Sequence, residues 1–173
     1  MQLGFVSAIF RDLSLEEVLA FAGSEGYQCV EVMCWPSAKE DRPYGGTCHI
    51  DVKSFTKAQA DDVRALCEKH KVQISALGYY ANSLSDDANE AEIARSHFRK
   101  VIDAAPLLGL SNVNGFIGAN RYKPLEENFE EESSRLAESL KSCRSVVNDY
   151  RVMLTGNHAV PSPEKSERSN ARE

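Results

Sequence analysis

QLGFVSAIFRDLSLEEVLAFAGSEGYQCVEVM, residues 2–33, lays out one complete strand–helix–strand unit. Gln2–Ser7 and Gln28–Met33 are short apolar runs of the kind that parallel sheets bury on both faces. Between them, Ser14 with Glu17 one helical turn on forms a capping box. Leu15, Val18, Leu19 and Ala22 then share one helical face, and Gly26 closes the helix. The turn joining strand to helix reads SAIFRDLS, with no glycine in it. An open-sheet nucleotide binder needs a Gly-rich turn there, and no GxGxxG, GKS or GKT occurs in the chain. The closed parallel barrel is therefore favoured over the doubly wound sheet.

The rest of the chain repeats the unit. Val72–Leu77 and Asn112–Ile117 read as two more buried strands. The helix before Val72 is carried by Ala60, Val63, Leu66 and Cys67. The next is capped by Asp86 or Asp87, carries Ala94, Phe98, Val101, Ile102, Ala105 and Leu108, and stops at Gly109. A fourth pattern runs through Leu125, Phe129, Leu136, Leu140, Cys143 and Val147. Strand and helix alternate with no hairpin signal, which is the grammar of an α/β fold with a parallel sheet. Arg151–Thr155 is a candidate fifth strand. From Pro161 onward the sequence is polar and aperiodic, so the expected organisation is a partial barrel over residues 1–160 and a disordered tail over 161–173.

Bulk properties narrow the function. The 173 residues suffice for one domain, and 42% hydrophobic with 27% charged content is ordinary for a globular protein. A net charge of −6 argues against nucleic acid as a partner. No apolar run approaches the roughly 20 residues of a membrane span, and MQLGFVSAIF has no basic leader, so a cytoplasmic protein is expected. Five cysteines with no CxxC spacing point to packed thiols rather than a disulfide framework or a zinc ribbon.

In a parallel barrel the functional face lies at the carboxyl ends of the strands. Ser7 stands at the end of the first strand, and Glu31, Cys34 and Trp35 in or after the second. Tyr79, Tyr80 and Asn82 follow the third, and Asn114 and Phe116 lie in the fourth. Aromatic faces beside amides and a carboxylate suit a small polyol. Glu31 is the most informative of these residues. A carboxylate within Cys29–Met33 is costly unless paired, ligated or hydrogen-bonded. It either orients a substrate hydroxyl, or acts as acid or base, or is a structural carboxylate. His49 follows a long loop containing Pro36, Pro43, Gly45 and Gly46 that reads as a rim segment. It reads as a ligand or substrate donor, against a loop histidine bonded to backbone. His70 and His97 read as surface or packing residues within helices. Of Tyr79 and Tyr80, alternation sends one ring to the barrel mouth and the other to the helix layer. Trp35 is either a stacking platform or a buried loop anchor. The expected site is thus Glu31 and His49 as catalytic candidates, with Ser7, Trp35, Tyr79, Asn82, Asn114 and Phe116 contacting substrate.

The runs LGFVSAIFRDLSLEEVLAFA, CVEVMCWP, HIDV, ISALGYYANSL, VIDAAPLLG and VNGFIG occur in an order and spacing that resembles the sugar phosphate isomerases and epimerases with a xylose isomerase-like TIM barrel. The resemblance covers about residues 1–130. It implies a (β/α) barrel, a small carbohydrate substrate, and a divalent metal (Mn, Mg or Zn) that assists proton abstraction next to a carbonyl. It also implies that the metal's ligands come mainly from the later strands. Gly156 stands where a ligand Glu is expected. Only four to five βα units are visible, a half barrel. The expectation for this chain is no tightly bound metal and no assigned metal ligand, with either isomerase-type activity or binding without turnover. Unclosed sheet edges imply self-association. Abasic-site nuclease work, found elsewhere in that superfamily, needs clustered histidines and a basic surface, and neither is visible.

Overall fold

The computed structural model describes residues 2–36, 45–116, 118–131, 133–134 and 151–154. Five strands form one sheet: β1 (Gly4–Val6), β2 (Cys29–Met33), β3 (Gln73–Tyr79), β4 (Asn112–Gly115) and β5 (Arg151–Leu154). They lie in the order β1-β2-β3-β4-β5, and every neighbouring pair is parallel. This is the chain-order parallel sheet of a half TIM barrel. The tail 161–173 and the late helical positions Leu136, Leu140, Cys143 and Val147 lie outside the described residues.

Each helix starts where local chemistry satisfies its first free N–H groups. In α1 (Leu15–Ser24), the Ser14 hydroxyl accepts from the Glu17 N–H, and the Glu17 carboxylate accepts from the Ser14 N–H at 2.7 Å. α2 (Lys57–His70) opens with the same device, built from Thr56 and Gln59. In α3 (Ala88–Ala104), Asp87 accepts from the Asn89 and Glu90 N–H groups at 2.8 and 3.1 Å. A 3-10 turn, Ala105–Leu108, extends α3, and Gly109 ends it at φ 72°, a left-handed conformation that glycine adopts without cost.

The core lies between sheet and helices. Val18, Leu19 and Ala22 of α1 are fully buried, as are Val30 and Val32 of β2, Leu77 of β3 and Val101 of α3. Each valine and leucine among them contributes about 1.5–3 kcal/mol on burial. Alternation along the strands fixes which residues belong to this layer. Phe5 packs edge-on against Phe21 of α1, and Tyr79 meets His97 and Phe98 of α3. Their neighbours on the strands turn to the other face, the inner wall of the barrel.

Several strand boundaries differ from the sequence expectation; β4 ends at Gly115, so Phe116 follows the strand and does not lie in it, and two further differences bear on the site. β1 ends at Val6 and the chain passes into a 3-10 turn, Ser7–Phe10. The buried Ser7 hydroxyl instead accepts the Met33 N–H at 2.9 Å, satisfying the last residue of β2. β3 runs on to Tyr79, because its end pairs with β4 through Gly78–Asn114 and Tyr79–Gly115.

Candidate functional site

Glu31 projects from the middle of β2 onto the inner wall and is half-buried. Both of its carboxylate oxygens are engaged. The Tyr80 hydroxyl donates to Oε1, and the Asn114 amide donates to Oε2 at 2.7 Å. Tyr80 follows β3 and Asn114 belongs to β4, so the carboxylate reaches across one whole strand. Gly78 makes that reach possible. It pairs with Asn114 in register, and a Cβ built on it would lie 2.6 Å from Glu31 Oε1. A glycine within a strand marks a place where another group approaches closely. Here two groups approach, the Met33 methyl most closely and the carboxylate next.

The phenol of Tyr80 is held protonated. Its burial and its hydrogen bond to Glu31 push its pKa upward, the burial contributing most. On its other side the exposed ring of Phe116 meets it edge-on at 4.8 Å between centroids. Glu31, Tyr80, Asn114 and Phe116 thus form one surface. It offers a carboxylate, an amide, a hydroxyl and an apolar face, the set that a polyhydroxy compound can use.

The other expected residues fall into three places. Trp35 is buried and packs edge-on against Tyr79 at 4.9 Å. Tyr79 packs in turn on His97, whose Nε2 lies 2.6 Å from the Cys34 carbonyl oxygen. These three rings stand behind the sheet, in the helix layer. The ring on the inner wall is therefore Tyr80 and not Tyr79, and Trp35 anchors its loop. Asn82 is exposed and ties two rim loops together. Its Oδ1 accepts from the Ala119 and Leu84 N–H groups at 2.9 and 3.1 Å, and its Nδ2 donates to the Ala119 carbonyl at 2.8 Å. Ser7 is buried at the end of β1, bonded as described.

His49 folds back to the carboxyl ends of β1 and β2, the same end of the sheet as Tyr79 and Asn114. Its N–H donates to the Met33 carbonyl at 2.9 Å, and its Nε2 is 3.2 Å from the Phe10 carbonyl. Desolvation lowers the imidazole pKa, and hydrogen bonds to the Phe10 and Leu13 carbonyls oppose that shift. None of the hydrogen bonds among the described residues joins His49 to Glu31.

The sequence reading did not single out Gly78, and of the two rings it named, Tyr79 and Tyr80, it placed Tyr79 in the expected site. The signal for Gly78 and Tyr80 was the run LGYY, a glycine in an otherwise apolar strand followed by two rings of opposite facing.

No three His, Cys, Asp or Glu side chains come together among the described residues. With both Glu31 oxygens already accepting from an O–H and an N–H donor, these residues do not fit a divalent cation, which takes several oxygen or nitrogen ligands. A cavity of about 460 Å³ opens at the opposite, amino end of β3, lined by Val63, Arg64, Cys67, Lys71, Ile74 and Leu108. Barrel chemistry belongs to the carboxyl ends of the strands, so the inner wall at Glu31 is the stronger candidate despite this cavity.

A family model described as xylose isomerase-like TIM barrel matches residues 19–155. The chain belongs to that family. Solved structures agree on the fold of this xylose isomerase-like protein. A probable 3-DHS dehydratase of petrobactin synthesis from Bacillus anthracis superposes with a TM-score of 0.60 at 14% identity, over 89% of this chain and 52% of its own. The IolI protein with a bound zinc atom gives 0.59 at 17% identity, over 89% and 51%. The D-psicose 3-epimerase of Clostridium cellulolyticum H10, solved with D-tagatose, gives 0.56 at 12% identity, over 89% and 52%. The xylose isomerase-like chain thus spans about half the length of these proteins. No curated protein matches it in sequence. No helix among the described residues is long and apolar enough to cross a membrane.

Proposed function

We propose that this chain is a sugar isomerase or epimerase-family protein whose inner wall binds a small, unphosphorylated carbohydrate. One observation carries the reading: Glu31, Tyr80 and Asn114 are locked together on the wall at the carboxyl ends of the strands, beside the exposed ring of Phe116. A sugar ring or chain lays its C–H face on Phe116 and exchanges hydroxyl hydrogen bonds with Glu31 and Asn114. A phosphate would meet the Glu31 charge at this wall, which is why the neutral sugar is preferred.

The reaction read from the family is proton abstraction next to a carbonyl. Glu31 is the described carboxylate within reach of such a carbon. Tyr80, kept protonated, donates its single O–H to that carboxylate and so orients it. A solved relative carries zinc, but no three His, Cys, Asp or Glu side chains come together among the described residues of this chain, and no step here is derived through a metal.

Binding without turnover is the second reading. It is favoured by the two donors already on Glu31, since a carboxylate accepting hydrogen bonds is a weaker base. The edge of β1, which pairs only with β2 among the described strands, adds a route to self-association. One experiment separates the readings. A ketohexose such as D-fructose is incubated with the chain in deuterium oxide, with and without Mn²⁺, and followed by proton NMR. Saturation transfer to the sugar together with deuterium entering beside its carbonyl, lost in Glu31→Gln, supports the isomerase reading. Transfer without exchange supports binding alone. Neither signal overturns both.

A further inference from the structure

Cys34 and Cys48, far apart in sequence, face each other at the carboxyl end of β2. Their backbones form an isolated antiparallel bridge. The hydrogen bonds flank the pair without joining it. Trp35 N–H donates to the Thr47 carbonyl at 3.2 Å, and His49 N–H donates to the Met33 carbonyl at 2.9 Å. The two cysteines are therefore a non-hydrogen-bonded pair. In such pairs the side chains share one face of the ribbon and the Cα atoms approach to about 4.5 Å. Disulfides join Cα atoms about 4.4–6.8 Å apart, a range that includes the separation typical of this pair type. Cys29 and Cys67 sit elsewhere, the first beside Gly4 and the second on α2.

We propose that Cys34 and Cys48 are a redox modification site, a dithiol that closes to an intramolecular disulfide in the presence of a small-molecule disulfide such as oxidised glutathione. The two thiols divide the work. Cys34 is fully buried, with its Sγ 3.6 Å from the Val32 carbonyl oxygen, whereas Cys48 is part-exposed. Burial, and next the neighbouring Cys48, raise the Cys34 pKa, so the buried thiol does not start the exchange. The Cys48 thiolate attacks one sulfur of the small disulfide and expels the first small thiolate. Cys34 then loses its proton and attacks Cys48 Sγ, breaking the mixed disulfide and expelling the second. The protein gives up two electrons and two protons, which leave as two small thiols.

The bond has a structural consequence at the rim. Cys48 immediately precedes His49, and Cys34 immediately follows β2, the strand that carries Glu31. Closure ties the His49 segment covalently to the end of that strand. Reduction leaves it held by noncovalent contacts, the two flanking hydrogen bonds and the His49–Phe10 contact among them.

The test uses the full chain with oxidised glutathione, followed by thiol blocking, trypsin and mass spectrometry. Trypsin leaves Cys34 in the peptide 12–39 and Cys48 in 40–53, because the Arg42–Pro43 bond resists cleavage. The expected result is a fall from five blockable thiols to three, a mass lower by two hydrogens, and a link between these peptides. Cys29 shares the first peptide, so Cys29→Ser must keep the link, while Cys34→Ser and Cys48→Ser must each lose it. Cys48→Ser alters a part-exposed position and reports even if Cys34→Ser does not fold. Five thiols retained, only a glutathione adduct on Cys48, or a link that survives in Cys48→Ser overturns the proposal.

Discussion

Gly78→Ala tests whether the carboxylate clamp depends on an empty place in β3. Gly78 does not have positive φ, so alanine fits its backbone. The new methyl group is the whole perturbation. It would sit 2.6 Å from Glu31 Oε1 and press on the Met33 side chain. Met33 is flexible and gives way cheaply. The carboxylate gives way only by leaving Tyr80 or Asn114. A hydrogen bond to a charged group is worth about 1.5–3 kcal/mol net. Water restores part of that loss, because Glu31 is half-buried and open to the wall. Alanine also recovers about 0.5–1 kcal/mol of the backbone entropy that glycine loses. The balance is a loss of about 1–2 kcal/mol, seen as a urea midpoint lower by about 0.5–1 M. The same substitution made on Glu31→Ala should cost less, since the clashing oxygen is then gone. An unchanged midpoint in Gly78→Ala, or an equal cost in both backgrounds, would refute the clamp.

Three further outcomes follow from the structure. Thr56→Ala removes the hydroxyl that caps α2 and should cost about 1 kcal/mol in equilibrium unfolding, whereas Lys57→Ala at the next position should be near neutral. Tyr80 has a raised folded pKa, so its contribution to stability is complete below the ordinary tyrosine value of 10.0 and fades as pH rises through the folded value. Ultraviolet titration of wild type should therefore retain one late-ionising tyrosine, which Glu31→Gln brings earlier. His49 has a lowered folded pKa, so its contribution is present above 6.5 and is lost as pH falls through the folded value. The acid-side slope of stability should flatten in His49→Asn, and an unchanged slope would show that the ring is not desolvated.

The residues show unevenly how much of this was legible. The α1 capping box, the apolar strands and the Gly109 stop are local signals, and the structure realises each of them. Thr56 and Gln59 carry an equally local cap for α2 that the apolar pattern overshadowed. Glu31 stood out because a carboxylate in an apolar strand must find partners. Which partners it finds depends on a cross-strand relation, with Gly78 lying between β2 and β4, and spacing within one segment does not reveal that. Tyr79 and Tyr80 were known to face opposite ways, but their absolute facing follows from the register of β3 against β4. Trp35 and His97 turned out to share a cluster behind the sheet through contacts between distant segments, which no periodicity encodes.

The central claim is that the wall formed by Glu31, Tyr80, Asn114 and Phe116 holds a neutral sugar. Calorimetric titration of the full chain with D-fructose, in parallel with Glu31→Gln and Phe116→Ala, tests it most directly. The account predicts saturable binding that weakens about tenfold or more in each variant, a loss of about 1.4 kcal/mol or more, with the unfolding transition of Phe116→Ala unchanged because that ring is 54% exposed. Binding of equal strength in all three chains would contradict it.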